Sequence, residues 1–139
     1  MNDKILEEIA DALDRGFIVF VHRRTFEVLS YPDPARWSEM EALDEWVAIQ
    51  DRLEAEDDHF VEVKPPSPKE SFRFMSDFAE QQVADARLRQ RLLEALNSPK
   101  PFKHFKHMVE DSEEADAWAD YKLACLKAYA IERLAEHWD

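Results

Sequence analysis

Ile5, Ile9 and Leu13 recur every four residues near the start of the chain, with Leu6 beside them and acids at several of the positions between. That is the apolar stripe of an amphipathic helix and predicts one over residues 3–14. Asp3 is a candidate cap, and Gly16 follows where a left-handed residue ends a helix. The pattern then changes. Phe17-Ile18-Val19-Phe20-Val21 is a β-branched and aromatic run of strand length, and after His22-Arg23-Arg24-Thr25 the stretch Phe26-Glu27-Val28-Leu29-Ser30 can return beside it as a hairpin. Pro32 and Pro34 predict a break, since neither can donate to a ladder.

From about Arg36 to Glu56 the helical period returns, with Trp37, Met40, Leu43, Val47 and Leu53 as inward positions. His59-Phe60-Val61-Glu62-Val63 alternates as a third strand would, and Pro65-Pro66 ends it. Everything beyond is helical. Ser67-Pro68-Lys69-Glu70 has the serine, first-turn proline and glutamate of a capping box, followed by Phe72, Met75, Phe78, Ala79 and Val83 at core spacing. Asp85 can cap the next helix, with Leu88, Leu92, Leu93 and Leu96 inward. Asn97-Ser98-Pro99 closes that helix and opens one carrying Phe102, Phe105, Met108 and Val109. A last helix, from about Ser112 to His137, would bury Trp118, Tyr121, Leu126, Tyr129 and Leu134. The expected fold is α+β: a small three-stranded antiparallel sheet with five or six helices and a helical C-terminal half, in a single domain spanning 1–139.

Composition supports a packed core. Of 139 residues, 45% are hydrophobic and 12% aromatic, which is globular rather than disordered. No apolar run approaches the roughly 20 residues that cross a bilayer, and the acids among the first eight residues do not suit a secretory signal. The expectation is a cytoplasmic protein with no membrane contact. Cys125 is the only cysteine, so an internal disulfide is ruled out and a buried structural thiol is expected.

The second half also carries a recurring order of short motifs. They are Met75 with Phe78; Asp85, Leu88, Arg89 and Leu92; Phe102, Lys103, Phe105 and Lys106; then Trp118 and the near-terminal Trp138. Thr25, Glu27 and Val28 fit a Thr-Gly-Glu-Val slot upstream. In that order they resemble the bacterial uncharacterised protein family 0158 over roughly residues 5 to 138. The resemblance implies one fold and no catalytic residue. Two departures stand out. Phe26 occupies the slot of a turn glycine, which implies a different turn because a left-handed non-glycine residue costs on the order of 1 kcal/mol or more. Ser98-Pro99-Lys100-Pro101 replaces a glycine-flanked entry to the Phe-Lys helix with a stiffer one.

Charge is the main functional signal. The chain carries −13 overall, yet residues 87–106 carry +5 and the remainder −18. An acidic chain is repelled by bulk DNA and anionic membrane. The acids are dense between Glu39 and Glu62, ten against Arg52 alone, either as a solvated helix face or as a surface offered to a basic partner. The bases Arg87, Arg91, Lys103 and Lys106, with His107, form the candidate binding site. A basic face on a rigid helix serves as ordinary solvated surface, or takes a phosphate, a nucleic-acid strand or an acidic protein segment. Stems lying along Phe102 and Leu88 would keep those charges wet.

Other chemistry finds little footing. His104 and His107 stand three apart with Glu110 and Asp111 near, and Asp57-Asp58-His59 is a second cluster, but neither supplies a full ligand set, so no metal and no cofactor are expected. One glycine cannot build a phosphate-cradling loop, and no Gly-x-Ser-x-Gly elbow occurs. No carboxylate pair stands out as desolvated, so no catalytic residue is assigned. The leading expectation is a non-enzymatic protein-interaction or regulatory module with opposite acidic and basic surfaces, engaging a protein partner or a second copy of itself. A nucleic-acid- or nucleotide-binding protein using the basic edge is the alternative, and an uncharacterised hydrolase the third reading.

Overall fold

Helix α1 (Asp3–Asp14) is capped by Asn2, whose side chain accepts from the Ile5 amide at 2.9 Å. The cap is therefore one residue earlier than the expected Asp3. Ile9, Ala10, Ala12 and Leu13 are buried. Gly16 follows at φ 81°, a left-handed conformation that glycine adopts without a Cβ penalty, and the chain turns into strand β1 (Phe17–His22). Strands β2 (Val28–Pro32) and β3 (Phe60–Val63) flank it in one antiparallel sheet, in the order β2-β1-β3. The computed structural model describes residues 1–33 and 44–138. The expected inward residues Trp37, Met40 and Leu43 lie outside them.

The register shows how the sheet tolerates a proline. The His22 amide donates to the Glu27 carbonyl and the Arg23 amide to the His59 carbonyl, so β1 turns alternate residues to β2 and to β3. On β2 the bonded positions are then 27, 29 and 31. Pro32 pairs opposite Phe17 with its nitrogen directed outward. It ends β2 from within rather than breaking the strand before it, because no ladder bond is lost. Val19, Val21, Val61 and Val63 share one face and are all at most 3% exposed. The Arg23 guanidinium, continuing that face, donates to the His137 carbonyl at 2.7 Å, which places the end of the last helix there.

The hairpin turn departs from its expectation. Phe26 was expected to force a different turn, yet it takes φ 61° itself. Its ring stacks on Trp138, centroids 5.6 Å apart and planes 20° from parallel. Stacking and burial of this kind are worth about 0.5–1.5 kcal/mol, enough to offset the left-handed backbone. His22 completes the turn, its Nδ1 accepting from the amides of Arg24 and Thr25 at 3.1 and 3.2 Å.

Helix α2 (Asp44–Ala55) is the described part of the helix expected from 36 to 56. Val47, expected inward, is 41% exposed. Arg52 is half-exposed and bridges Glu27 and Glu56 while lying 5.5 Å over the Phe60 ring.

Beyond Pro66 come α3 (Pro68–Gln81), α4 (Ala86–Leu96), α5 (Pro101–Glu110) and α6 (Ala115–Ala135). The capping box at Ser67 and Glu70 forms as expected. Phe78, Ala79, Val83, Leu92, Leu96, Phe105, Val109 and Trp118 make one buried cluster, with Phe78, Phe105 and Trp118 in edge contact. Phe72 and Phe102, both expected inward, are 36% and 37% exposed. The chain folds into two compact units, Met1–Pro65 with Leu126–Asp139, and Pro66–Cys125. With six helices and a three-stranded antiparallel sheet among the described residues, the fold is α+β and helical in its C-terminal half. No described helix is long and apolar enough to cross a membrane.

Candidate functional site

The basic surface belongs to the helical unit and is set by two helix starts. Asp85 Oδ1 accepts from the amides of Arg87 and Leu88 at 2.9 and 3.3 Å, fixing the first turn of α4. Burial of Leu92, Ala95 and Leu96 then sets the rotation of α4, which leaves Arg87 and Arg91 exposed. Lys100 flanks α5 without a side-chain cap, and Pro101 supplies its first turn. Phe105 and Val109, both fully buried, anchor α5 and decide which of its residues face outward.

At about 100° per residue, His104, His107 and Asp111 fall on one flank of α5. Lys106 falls on the opposite flank, with Lys103 between Lys106 and His107. The first flank forms one wall of a groove of about 550 Å³, lined by Leu88, Arg91, His104, His107, Met108 and Asp111 together with Ser112. Of the five expected binding residues, the groove brings together Arg91 and His107. Arg87, Lys103 and Lys106 are exposed but are not part of its lining.

One wall is chemically specified. Ser98 Oγ donates to the Ala95 carbonyl at 2.6 Å, and the same oxygen lies 2.6 Å from His104 Nδ1. With the serine proton committed, the hydroxyl oxygen must accept, so His104 carries its proton on Nδ1. Asp111 brings an acid to the same wall, offsetting part of the charge of Arg91. The groove is therefore mixed in charge, while Lys103 and Lys106 lie outside it on the outward arc of α5, with Glu110 between them. Among the described residues no three His, Cys, Asp or Glu side chains are placed to hold a metal.

Some bases outside this surface are held in ion pairs. Arg52 bonds two carboxylates, and Lys127 reaches Asp3 at 3.1 Å and Glu7 at 3.4 Å. Arg87, Arg91, Lys100, Lys103 and Lys106 are exposed, and none has an ion-pair partner among the described residues. Arg89 alone turns back, its guanidinium 3.4 Å from the Val83 carbonyl. Sequence spacing identified the exposed bases. It did not reveal the Ser98–His104 bond, which depends on how the chain turns between α4 and α5.

Cys125 is half-buried rather than fully buried. Burial pushes its thiol above the ordinary cysteine value, a shift the Tyr121 hydrogen bond partly counters. A thiol so placed is poorly nucleophilic.

A search of curated proteins finds the UPF0158 protein PA5073 of Pseudomonas aeruginosa, 30% identical over 134 residues, which are 95% of this chain and 81% of that protein. No solved structure matches the chain. The profile of the Uncharacterised protein family (UPF0158) matches residues 2–138. The chain belongs to this family.

Proposed function

We propose that this chain is a non-enzymatic binding module that engages an acidic protein segment, on a partner or on a second copy of itself, through the outer surface of α4 and α5. The observation that carries the reading is the clustering of bases along residues 87–106, six against Glu94 alone. Five exposed bases have no ion-pair partner among the described residues, in a chain carrying −13. Like charges gathered on two adjacent helices repel one another, and an acidic partner relieves that repulsion while steering its own approach. Described acids at Glu45, Asp51, Glu54, Asp57 and Asp58 are exposed and give a second copy a surface of the required sign. The weakly reactive thiol of Cys125 suits a reducing, cytoplasmic setting.

Capture from a cell extract and sedimentation of the purified chain test the proposal together. Partner capture or self-association should weaken with added salt and in the Lys103→Glu, Lys106→Glu double variant. Binding that survives both changes would overturn it. A shift of RNA or DNA that depends on the same lysines would favour the nucleic-acid reading instead.

A further inference from the structure

We propose that the open edge of β3 is a strand-addition site for an extended polypeptide segment bearing carboxylates at alternating positions. This surface lies on the sheet-bearing unit, so the inference stands apart from the function proposed for α4 and α5.

The register fixes which backbone groups are open. Residues 59, 61 and 63 bond to β1, which directs the backbone of Phe60, Glu62 and Lys64 away from the sheet. Two of those groups are already used. The Phe60 amide donates to the Asp57 carbonyl, and the Lys64 carbonyl accepts from the Tyr129 hydroxyl at 2.8 Å. The Phe60 carbonyl, both backbone groups of Glu62 and the Lys64 amide have no partner among the described residues. An antiparallel strand with one residue opposite Glu62 would satisfy all four. The other sheet edge lacks this capacity because Pro32 has no amide to offer.

The groove along that edge selects the occupant. It encloses about 400 Å³ beside Phe60–Lys64, with Arg23, Tyr129, Arg133 and His137 on its other side. Arg23 continues the Val61 and Val63 face, and its bond to His137 puts the end of α6 on that face too. The residue of an added strand opposite Glu62 shares the Glu62 face. Its two neighbours, roughly 7 Å apart at strand rise, point to the face of Arg23 and Arg133. Carboxylates at those two positions meet cationic side chains. A second copy using the same edge would set Glu62 directly opposite Glu62, a like-charge pair that destabilises a sheet, so the occupant is a different segment.

The test uses the full 15N-labelled chain and the blocked peptide Thr-Val-Glu-Thr-Glu-Val-Thr. At saturation, amide exchange at Glu62 and Lys64 should slow at least tenfold. The same peptide N-methylated at its central threonine should fail to protect them, as should one with lysines in place of its glutamates. Glu62→Pro should keep the sheet, since that amide is not in the ladder, and abolish binding. The N-methylated peptide makes the backbone test even if the proline variant does not fold. Absence of binding at millimolar peptide, binding without protection of Glu62 and Lys64, or equal binding of the N-methylated peptide would each overturn the proposal.

Discussion

Arg52 grips Glu27 through both terminal nitrogens, each 2.6 Å from a carboxylate oxygen, while its Nε donates to Glu56 at 2.8 Å. The only base among ten acids thereby ties α2 to the β1–β2 hairpin. A bidentate arginine is geometrically specific in a way a lysine would not be.

Acid should loosen this tie. The Arg52 hydrogen bond, aided by the charges of Arg52 and His22 and opposed by burial, holds the Glu27 carboxyl below its ordinary value of 4.5. A folded value below the unfolded one contributes stability above about pH 4.5, which is lost as pH falls through the lowered folded value. Thermal melts of Glu27→Gln should therefore lie below the parent at neutral pH and converge with it in acid. Both side chains are half-exposed, so the neutral-pH difference should be small and should shrink with salt. A constant gap across the whole pH range would contradict the assignment.

The turn offers a sharper ordering. In Phe26→Ala the left-handed backbone remains and the Trp138 stack is lost, a loss of about 1–2 kcal/mol. Phe26→Gly loses the same stack but also relieves the backbone, so it should fall within about 1 kcal/mol of the parent. Chemical denaturation of both variants checks this. An alanine variant as stable as the glycine variant would mean that the left-handed conformation costs nothing here.

The strands were legible because β-branched runs bounded by turn residues have few alternatives, and Val19, Val21, Val61 and Val63 are buried as their alternation required. The helices were legible from capping chemistry, as at Ser67 and Glu70. Individual inward positions were less so. Phe72, Phe102 and Val47 satisfy a helical period, yet a helix buries only the arc its neighbours cover, and periodicity does not report the width of that arc. The groove between α4 and α5 was partly legible: Arg91 and His107 were expected, whereas Ser98 as the acceptor for His104 follows from the turn. Pro32 was misplaced because a proline disrupts a ladder only when its nitrogen faces the neighbouring strand.

Two phenylalanines three residues apart on α5 should behave very differently. Phe105 is fully buried against Trp118, and Phe105→Ala should cost about 3–5 kcal/mol. Phe102 is 37% exposed, and Phe102→Ala should cost no more than about 1 kcal/mol. Equal losses in urea unfolding would show that the rotation of α5 is wrong.

Cys125 should react slowly with thiol reagents in the folded chain. Its folded value is raised mainly by burial, so the reactive thiolate is scarcer than in an unfolded cysteine at the same pH. Linkage has the matching sign: the raised value costs nothing below the unfolded pKa, and the fold loses stability as pH rises from there through the folded value. Labelling in the presence and absence of denaturant should show clear acceleration on unfolding. A thiol labelled equally fast in both conditions would contradict the burial argument.

The two flanks of α5 separate two modes of binding. Lys103 and Lys106 lie on the outward arc of α5 with Glu110 between them, whereas Arg91 and His107 share a groove with Asp111. A partner that reads only net charge should respond to Lys103→Glu with Lys106→Glu and scarcely to Arg91→Ala with His107→Ala. A partner that inserts a side chain between the helices should show the reverse. All four residues are exposed, so each pair should leave folding within roughly 1 kcal/mol of the parent, and circular dichroism melts establish that before binding is compared. Retained folding with equal, additive losses in both variants would point to a partner spanning the whole outer surface. Unfolding of the lysine variant would show that the surface is structural, and the binding reading would fail with it.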